Sequence, residues 1–269
     1  MNCTSRAARP DDYASFLSLV PELGTSDPIP DRERWERLMM PGTRIFEEAG
    51  SVAAYTWCTP LEDVGYVRHV VVHPGYRGKG IGRLAMADAA ALFRAAGCSR
   101  WVLNVKPDNE PALRLYRSVG MTERYLSTAL RMEWSAVDTL PAPPPNVVAR
   151  PADATEDAAL EAAFGLPKKT LSNARSAAGR IILRLEDLND AANHRVGVAS
   201  FDPGFPGSFP FRVAHPSYAR ALFEAMKPHA RPEFSHIGAV VEDDAALTQS
   251  LLDHGAETRL RIVHFEGHL

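Results

Sequence analysis

The segment Arg77-Gly78-Lys79-Gly80-Ile81-Gly82 sets three glycines on alternate positions and carries two cationic side chains. It follows a run of β-branched and aromatic residues, Tyr66 to Val72, through His73-Pro74-Gly75-Tyr76, and leads directly into a stretch rich in helix formers. Such a turn can seat an anion. Glycines let successive backbone N–H groups converge, and the helix that follows adds the positive end of its dipole. The chemistry on offer is the holding of a phosphate or pyrophosphate, with Arg77 and Lys79 at its rim. Two familiar phosphate seats are excluded by register. A dinucleotide fold needs G-x-G-x-x-G and a later acidic residue for the ribose, and a Walker loop needs Gly-Lys-Ser/Thr. A glycine-rich turn with no ligand is the other reading of this segment alone.

A second block lies downstream: Leu103-Asn104-Val105, then Asn109, Ala112, Leu115-Tyr116 and Gly120. Taken together, the two blocks resemble the GNAT superfamily of N-acetyltransferases. The signature R/Q-x-x-G-x-G/A is met by Arg77, Gly80 and Gly82. The ending N-x-x-A-x-x-L-Y-x-x-x-G-F is met with Met121 in place of Phe. The resemblance covers most of residues 1–135. It implies acetyl-coenzyme A as donor, no metal, and direct transfer to an amine in a ternary complex. It also implies that the pantetheine arm lies along Val70, Val71 and Val72 as an added strand would. The amides of Arg77, Gly78, Lys79, Gly80, Ile81 and Gly82 would take the pyrophosphate, with Asn104 and Asn109 also assigned to the cofactor.

Amine attack on a thioester needs a neutral amine, a polarised carbonyl and a proton for the leaving thiolate. Tyr116, at its place in the matched block, is the candidate general acid, since a phenol stays protonated at neutral pH. For the base, Glu62 and Asp63 rank first and His69, able to titrate near neutrality, next. A solvent-relayed path with no dedicated base is equally open, because Tyr66 stands where relatives often place a carboxylate. The acceptor is expected to be a small-molecule or peptide amine. Glu22, Asp27, Asp31 and Glu33, in the segment between Pro21 and Pro41, could attract a cationic amine, but a solvated acidic loop is the better reading of them. A non-catalytic acyl-coenzyme A sensor built on the same turn is the alternative function.

These residues must be positioned by an α/β fold. Val52 to Trp57, Tyr66 to Val72, Trp101 to Val105 and Tyr125 to Trp134 read as strands, and Gly80 to Ala96 and Pro111 to Ser118 as helices. Ile81, Leu84, Ala85, Ala89, Leu92 and Phe93 supply one apolar helix face. The proline-rich stretch 140–146 can continue neither a helix nor a central strand and separates two similar halves. Ala8-Arg9-Pro10 recurs as Ala149-Arg150-Pro151, and Val72 to Tyr76 as Ala214-His215-Pro216-Ser217-Tyr218. Ser51 to Tyr55 has a counterpart in Val196 to Ser200, and Asp108 to Gly120 in Asp243 to Gly255. Four matches in one order indicate a tandem repeat. The expected layout is a catalytic domain 1–139, a linker 140–146 and a degenerate copy 147–269, each a mixed, mostly antiparallel sheet flanked by helices. In the copy, Ala219, Leu222 and Glu224 fall where Arg77, Gly80 and Gly82 stand, and Leu251 or Leu252 replaces Tyr116. Its expected role is structural or as a wall of the acceptor pocket.

The bulk properties agree. In 269 residues with a net charge of -3 there is no basic excess to mark a nucleic-acid binder. No apolar run reaches the ~20 residues of a membrane span, and the first residues lack a signal core, so a cytoplasmic location is expected. Cys3, Cys58 and Cys98 are too few and too far apart for a disulfide framework or thiolate metal site. The tandem pair is expected either to stay monomeric as a pseudo-dimer or to form a homodimer.

Overall fold

The computed structural model describes residues 3–25, 29–177, 179–189 and 195–269. Its contacts divide the chain into two compact units, residues 1–125 with 262–269, and residues 126–261. This division differs from the repeat boundaries in the sequence, because the last strand of each repeat is counted with the other unit. Residues 141–144, within the proline-rich stretch, belong to no helix or strand.

The first unit orders its strands β1 (Thr4–Ala7), β2 (Thr43–Glu48), β3 (Ser51–Leu61), β4 (Val64–Val72), β5 (Arg100–Val105) and the end of β12 (Glu257–His268). All neighbours run antiparallel except β4 and β5, which are parallel. Helices α1 (Tyr13–Leu19) and α2 (Arg32–Arg34), the latter widening into a π-helical turn over Trp35–Met39, cover one face. There Phe16, Leu19, Trp35 and Met39 pack on Ile45, Tyr55 and Val71. On the other face α3 (Ile81–Ala95) buries Ile81, Ala85, Met86, Ala89 and Phe93. Full burial of Phe93 or Ile81 is worth about 1.5–3 kcal/mol each. Leu84, expected on that face, is 40% exposed and looks outward. Helix α4 (Glu110–Ser118) returns the chain to β6 (Thr122–Glu133).

The second unit repeats the order. The end of β6 pairs with β11 (His236–Glu242), followed by β10 (Gly207–Val213), β9 (Arg195–Asp202), β8 (Ile181–Asp187) and β7 (Val147–Pro151). Its helices are α5 (Asp157–Ala163), α6 (Thr170–Ser176), α7 (Ala219–Met226) and α8 (Ala245–Asp253). The parallel pair is again central, β10 against β11. The repetition extends to hydrogen bonds. His73 Nδ1 accepts from the N–H of Gly75 at 3.1 Å, and His215 Nδ1 from that of Ser217 at 3.3 Å. Asn109 caps α4 by accepting from Ala112 N–H, and Asp244 caps α8 from Leu247 N–H. No helix among the described residues is long and apolar enough to cross a membrane.

Candidate active site

The site is made by a parting of strands. β4 and β5 are hydrogen-bonded only from Val64–Val67 to Arg100–Leu103, although β4 continues to Val72 and β5 to Val105. Past Val67 the edge of β4 facing β5 has no ladder partner, leaving backbone donors and acceptors for a guest. A bulge sets which side chains flank that edge. Val67 pairs with Cys58 and His69 with Trp57, so Arg68 is the extra residue. Gly65 and, beyond the bulge, Val70 and Val72 therefore face α3 alike, whereas Val71 faces α1.

A cavity of about 690 Å³ opens between this edge, the Arg77–Gly82 turn and α4. Among the described residues, the N–H groups of residues 78–83 find no acceptor within the chain. They form the amide array that the glycine pattern called for. Gly80, at φ +76, is the residue before α3 and turns the chain into the helix. Gly82 is needed for space instead: a Cβ there would sit 3.1 Å from Leu115 Cδ2, so its bareness sets how closely α3 approaches α4. Arg77 donates through Nε to the carbonyl of Val72 at 3.1 Å and through Nη2 to Glu22 Oε2 at 2.5 Å. Lys79 rests its ammonium 5.0 Å from the centre of the Tyr76 ring.

At the inner end of the cavity Tyr116 is 7% exposed and meets Phe265 edge-on at 5.8 Å. Burial pushes its phenol up to about 12. It therefore remains a proton donor across the neutral range. Asn109 lines the same cavity while capping α4. Sequence reasoning passed over two further cations of the lining, Arg83 and Arg114. The signal was available: Pro111, Arg114, Leu115 and Ser118 follow i, i+3, i+4, i+7 on α4, and all line the cavity.

The other sequence candidates lie elsewhere. Asn104 donates to the Tyr66 hydroxyl at 2.9 Å and does not line the cavity. Glu62 and Asp63 form the exposed tip of the β3–β4 hairpin, where Glu62 has φ +52 and Asp63 is 3.7 Å from Arg100. Glu62 is eight residues from Val70, about 26 Å of extended chain. Neither carboxylate reaches the reacting end. His69 lies near it: its Nδ1 is 3.1 Å from the Tyr55 hydroxyl and its ring is edge-on to Trp57 at 4.9 Å. His69 lines a second cavity of about 760 Å³ between β4, α2 and residues 20–25 and 29–30. Of the acidic residues that could attract a cationic amine, Glu22 is bound to Arg77 and Asp31 caps α2 through the N–H of Arg34. Glu33 is exposed and absent from the lining, and Asp27 lies outside the described residues.

Comparison with known proteins agrees with this geometry. Residues 12–121 match the acetyltransferase (GNAT) family model. Streptothricin acetyltransferase of Streptomyces lavendulae is 41% identical over 64 residues, 24% of this chain and 34% of that protein. The chain thus spans about a third of that relative's length. Among solved structures, a GCN5-related N-acetyltransferase from Sphaerobacter thermophilus superposes with a TM-score of 0.65 at 19% identity, covering 99% of this chain and 95% of that one. A tandem GNAT protein from the clavulanic acid biosynthesis pathway gives 0.55 at 17% identity, covering 99% and 98%. At such identities these two structures speak for the fold, and they extend it over both units. Residues 12–121 thus resemble the acetyltransferase (GNAT) family, and the likeness of fold runs on over the rest of the chain.

Proposed function

We propose that the first unit transfers an acetyl group from acetyl-coenzyme A to a primary amine, by direct attack with donor and acceptor bound together. One observation carries this reading: a strand edge without a partner, an unpaired amide array and a buried tyrosine line a single cavity. The residues fit a coenzyme A thioester. The free edge of Val70–Val72 matches the amide groups of a pantetheine arm. The N–H groups of residues 78–83 suit a pyrophosphate, and Arg83 and Arg114 add positive charge at the rim. When bound, acetyl-coenzyme A supplies the activated acyl carbon that the amine attacks.

The chain's own groups then have separable tasks. A backbone N–H near Val70 polarises the acyl oxygen. Tyr116 holds a proton on its phenol oxygen for the departing sulfur, and its burial keeps that proton in place. The acceptor enters from the cavity that His69 lines, since His69 and Val70 are consecutive on β4 and serve the two cavities. With Glu62 and Asp63 remote, the ammonium proton leaves through His69 or through water.

Thiol release from acetyl-coenzyme A across a panel of amines tests the reading. Turnover that falls at least 100-fold in Tyr116→Phe, with donor affinity retained, is the expected result. Tight donor binding without turnover on any amine would make the protein an acyl-coenzyme A sensor instead.

A further inference from the structure

The cavity on the α1–α2 side of β4 has a chemistry of its own. Its walls are partly apolar, with Leu23, Ile29, Leu38 and Trp57 among them, and Ile29 and Leu38 are 54% and 53% exposed. Side chains of that kind beside a cavity favour a ligand with an apolar body. The charged side chains among its described lining residues have one sign. Arg34 and Arg68 line it, and no carboxylate of the described residues does.

The two arginines are also available. Elsewhere in the first unit Arg6, Arg32, Arg44, Arg77, Arg100, Arg114, Arg117 and Arg124 each lie within 4.0 Å of a carboxylate, while Arg9, Arg37, Arg83 and Arg94, none of which lines this cavity, have no carboxylate partner among the described residues. Arg68 has no such partner among the described residues. Its guanidinium is held 4.4 Å from the Tyr66 ring centre and 5.3 Å from that of Trp57, and Nε donates to Thr59 Oγ1 at 3.1 Å. That leaves the Nη donors, fixed in direction by two aromatic rings and one hydrogen bond, without an acceptor among the described residues. The guanidinium of Arg34 makes no hydrogen bond or ion pair among the described residues, since Asp31 is engaged by its backbone N–H. A guanidinium presents a fork of donors that matches an oxyanion in two-point geometry.

We infer that the acceptor is an amine that carries an oxyanion, a carboxylate or phosphate, on an apolar or aromatic body. Arg68 and Arg34 hold the anion, and the amine is directed toward Val70 and Tyr116. The inference rests on the acetyl transfer proposed above and narrows its acceptor. It sets aside the reading in which the acidic residues between Pro21 and Pro41 attract a cationic amine. It gives Arg68, the bulge residue of β4, a specificity role through a contact with the acceptor.

The experiment uses the full chain and matched pairs of ligands, and it has two readouts. In the first, turnover is compared for L-leucine against L-leucinamide, L-phenylalanine against phenethylamine, and 3-aminopropyl phosphate against propylamine. We expect the anionic member of at least one pair to be favoured 10-fold or more in kcat/KM. The carboxylate and phosphate arms show which oxyanion is taken. Arg68→Gln and Arg34→Gln should remove that preference by raising KM at least 10-fold with little change in kcat, and Arg68→Lys should restore part of it. Equal use of both members, a preference for diamines, or an equal loss on all acceptors in the variants would overturn the inference.

The second readout needs no turnover. N-acetyl-L-leucine and N-acetyl-L-leucinamide are titrated against the fluorescence of Trp57, with Trp57→Phe as reference. Quenching by the acid at 10-fold lower concentration than by the amide supports the inference even if no amine is acetylated, in which case the transferase reading alone fails. Quenching by neither ligand, or by both alike, overturns it whatever the turnover.

Discussion

The two units part company one helical turn after a shared histidine. In the first, His73 begins a tight turn and the chain continues through Arg77-Gly78-Lys79-Gly80 before α3 starts at Ile81. In the second, His215 makes the same turn, but α7 starts at Ala219. The difference follows from helix propensity. Two glycines in a helix interior cost about 1 kcal/mol each relative to alanine, while Ala-Arg-Ala-Leu extends a helix readily. Residues 78–80 leave their N–H groups free ahead of α3, whereas their counterparts Arg220, Ala221 and Leu222 already form the first turn of α7. Leu222, which stands where Gly80 does, is fully buried in the second core, and Glu224 is paired with Arg220 at 2.7 Å. The early start of α7, with Leu222 and Glu224 in place of glycines, leaves the second unit without the glycine turn of the first.

The comparison can be broken most directly by transplanting it. The combined change Arg77→Ala, Gly78→Arg, Lys79→Ala and Gly80→Leu writes residues 219–222 into the first unit. We expect acetyl-coenzyme A binding, followed by calorimetry, to weaken at least 1000-fold while the circular dichroism of the fold persists. Binding within 10-fold of the parent would show that the amide array is not the seat.

Next in size is the buried position each unit keeps on its last helix, α4 or α8. Tyr116→Phe should lower kcat about 100-fold, within the range for a lost general acid, with the donor Kd unchanged. Because burial raises the phenol to about 12, the group is protonated below that pH and loses its proton only above it. The kcat–pH profile should therefore show no decline from this group below about pH 11. A fall near pH 9–10 that disappears in Tyr116→Phe would refute the assignment. The counterpart Leu251, 1% exposed, belongs to a core. Leu251→Ala should cost about 2–5 kcal/mol in denaturant unfolding and leave kcat within 2-fold.

How much of this could be read beforehand depended on the kind of constraint. Gly80 and Gly82 were legible because a positive φ and a close helix approach each admit little besides glycine, and Tyr116 because the block around α4 fixes its place. The bulge at Arg68 was hidden. Tyr66 to Val72 is an unbroken strand-forming run, and only its register on β3 shows that one residue is extra. The strand exchange was hidden for a related reason. β6 and β12 have nearly the same burial pattern, exposed at the start and alternating at the end, so nothing local selects a partner. The acidic residues were ambiguous because an acid's role is set by what it meets. Glu22 looks like part of a solvated loop until its partner, 55 residues onward, is known.

That ion pair yields the smallest and most discriminating test. Arg77 is the signature cation, yet Glu22 holds its Nη2 and the Val72 carbonyl holds its Nε. Both acceptors belong to the cavity lining, so a ligand that uses this edge competes for the same arginine. The side chains are 54% and 35% exposed, and ion pairs so placed contribute about 0–1 kcal/mol. Glu22→Gln should therefore tighten acetyl-coenzyme A binding modestly, by about 2- to 5-fold at low salt, with the gain shrinking as salt rises. The second unit holds the matching control: Glu224→Gln frees Arg220 from a similar partner and should leave donor affinity unchanged. A weaker donor complex in Glu22→Gln would mean that Glu22 positions Arg77 for the ligand instead of competing with it.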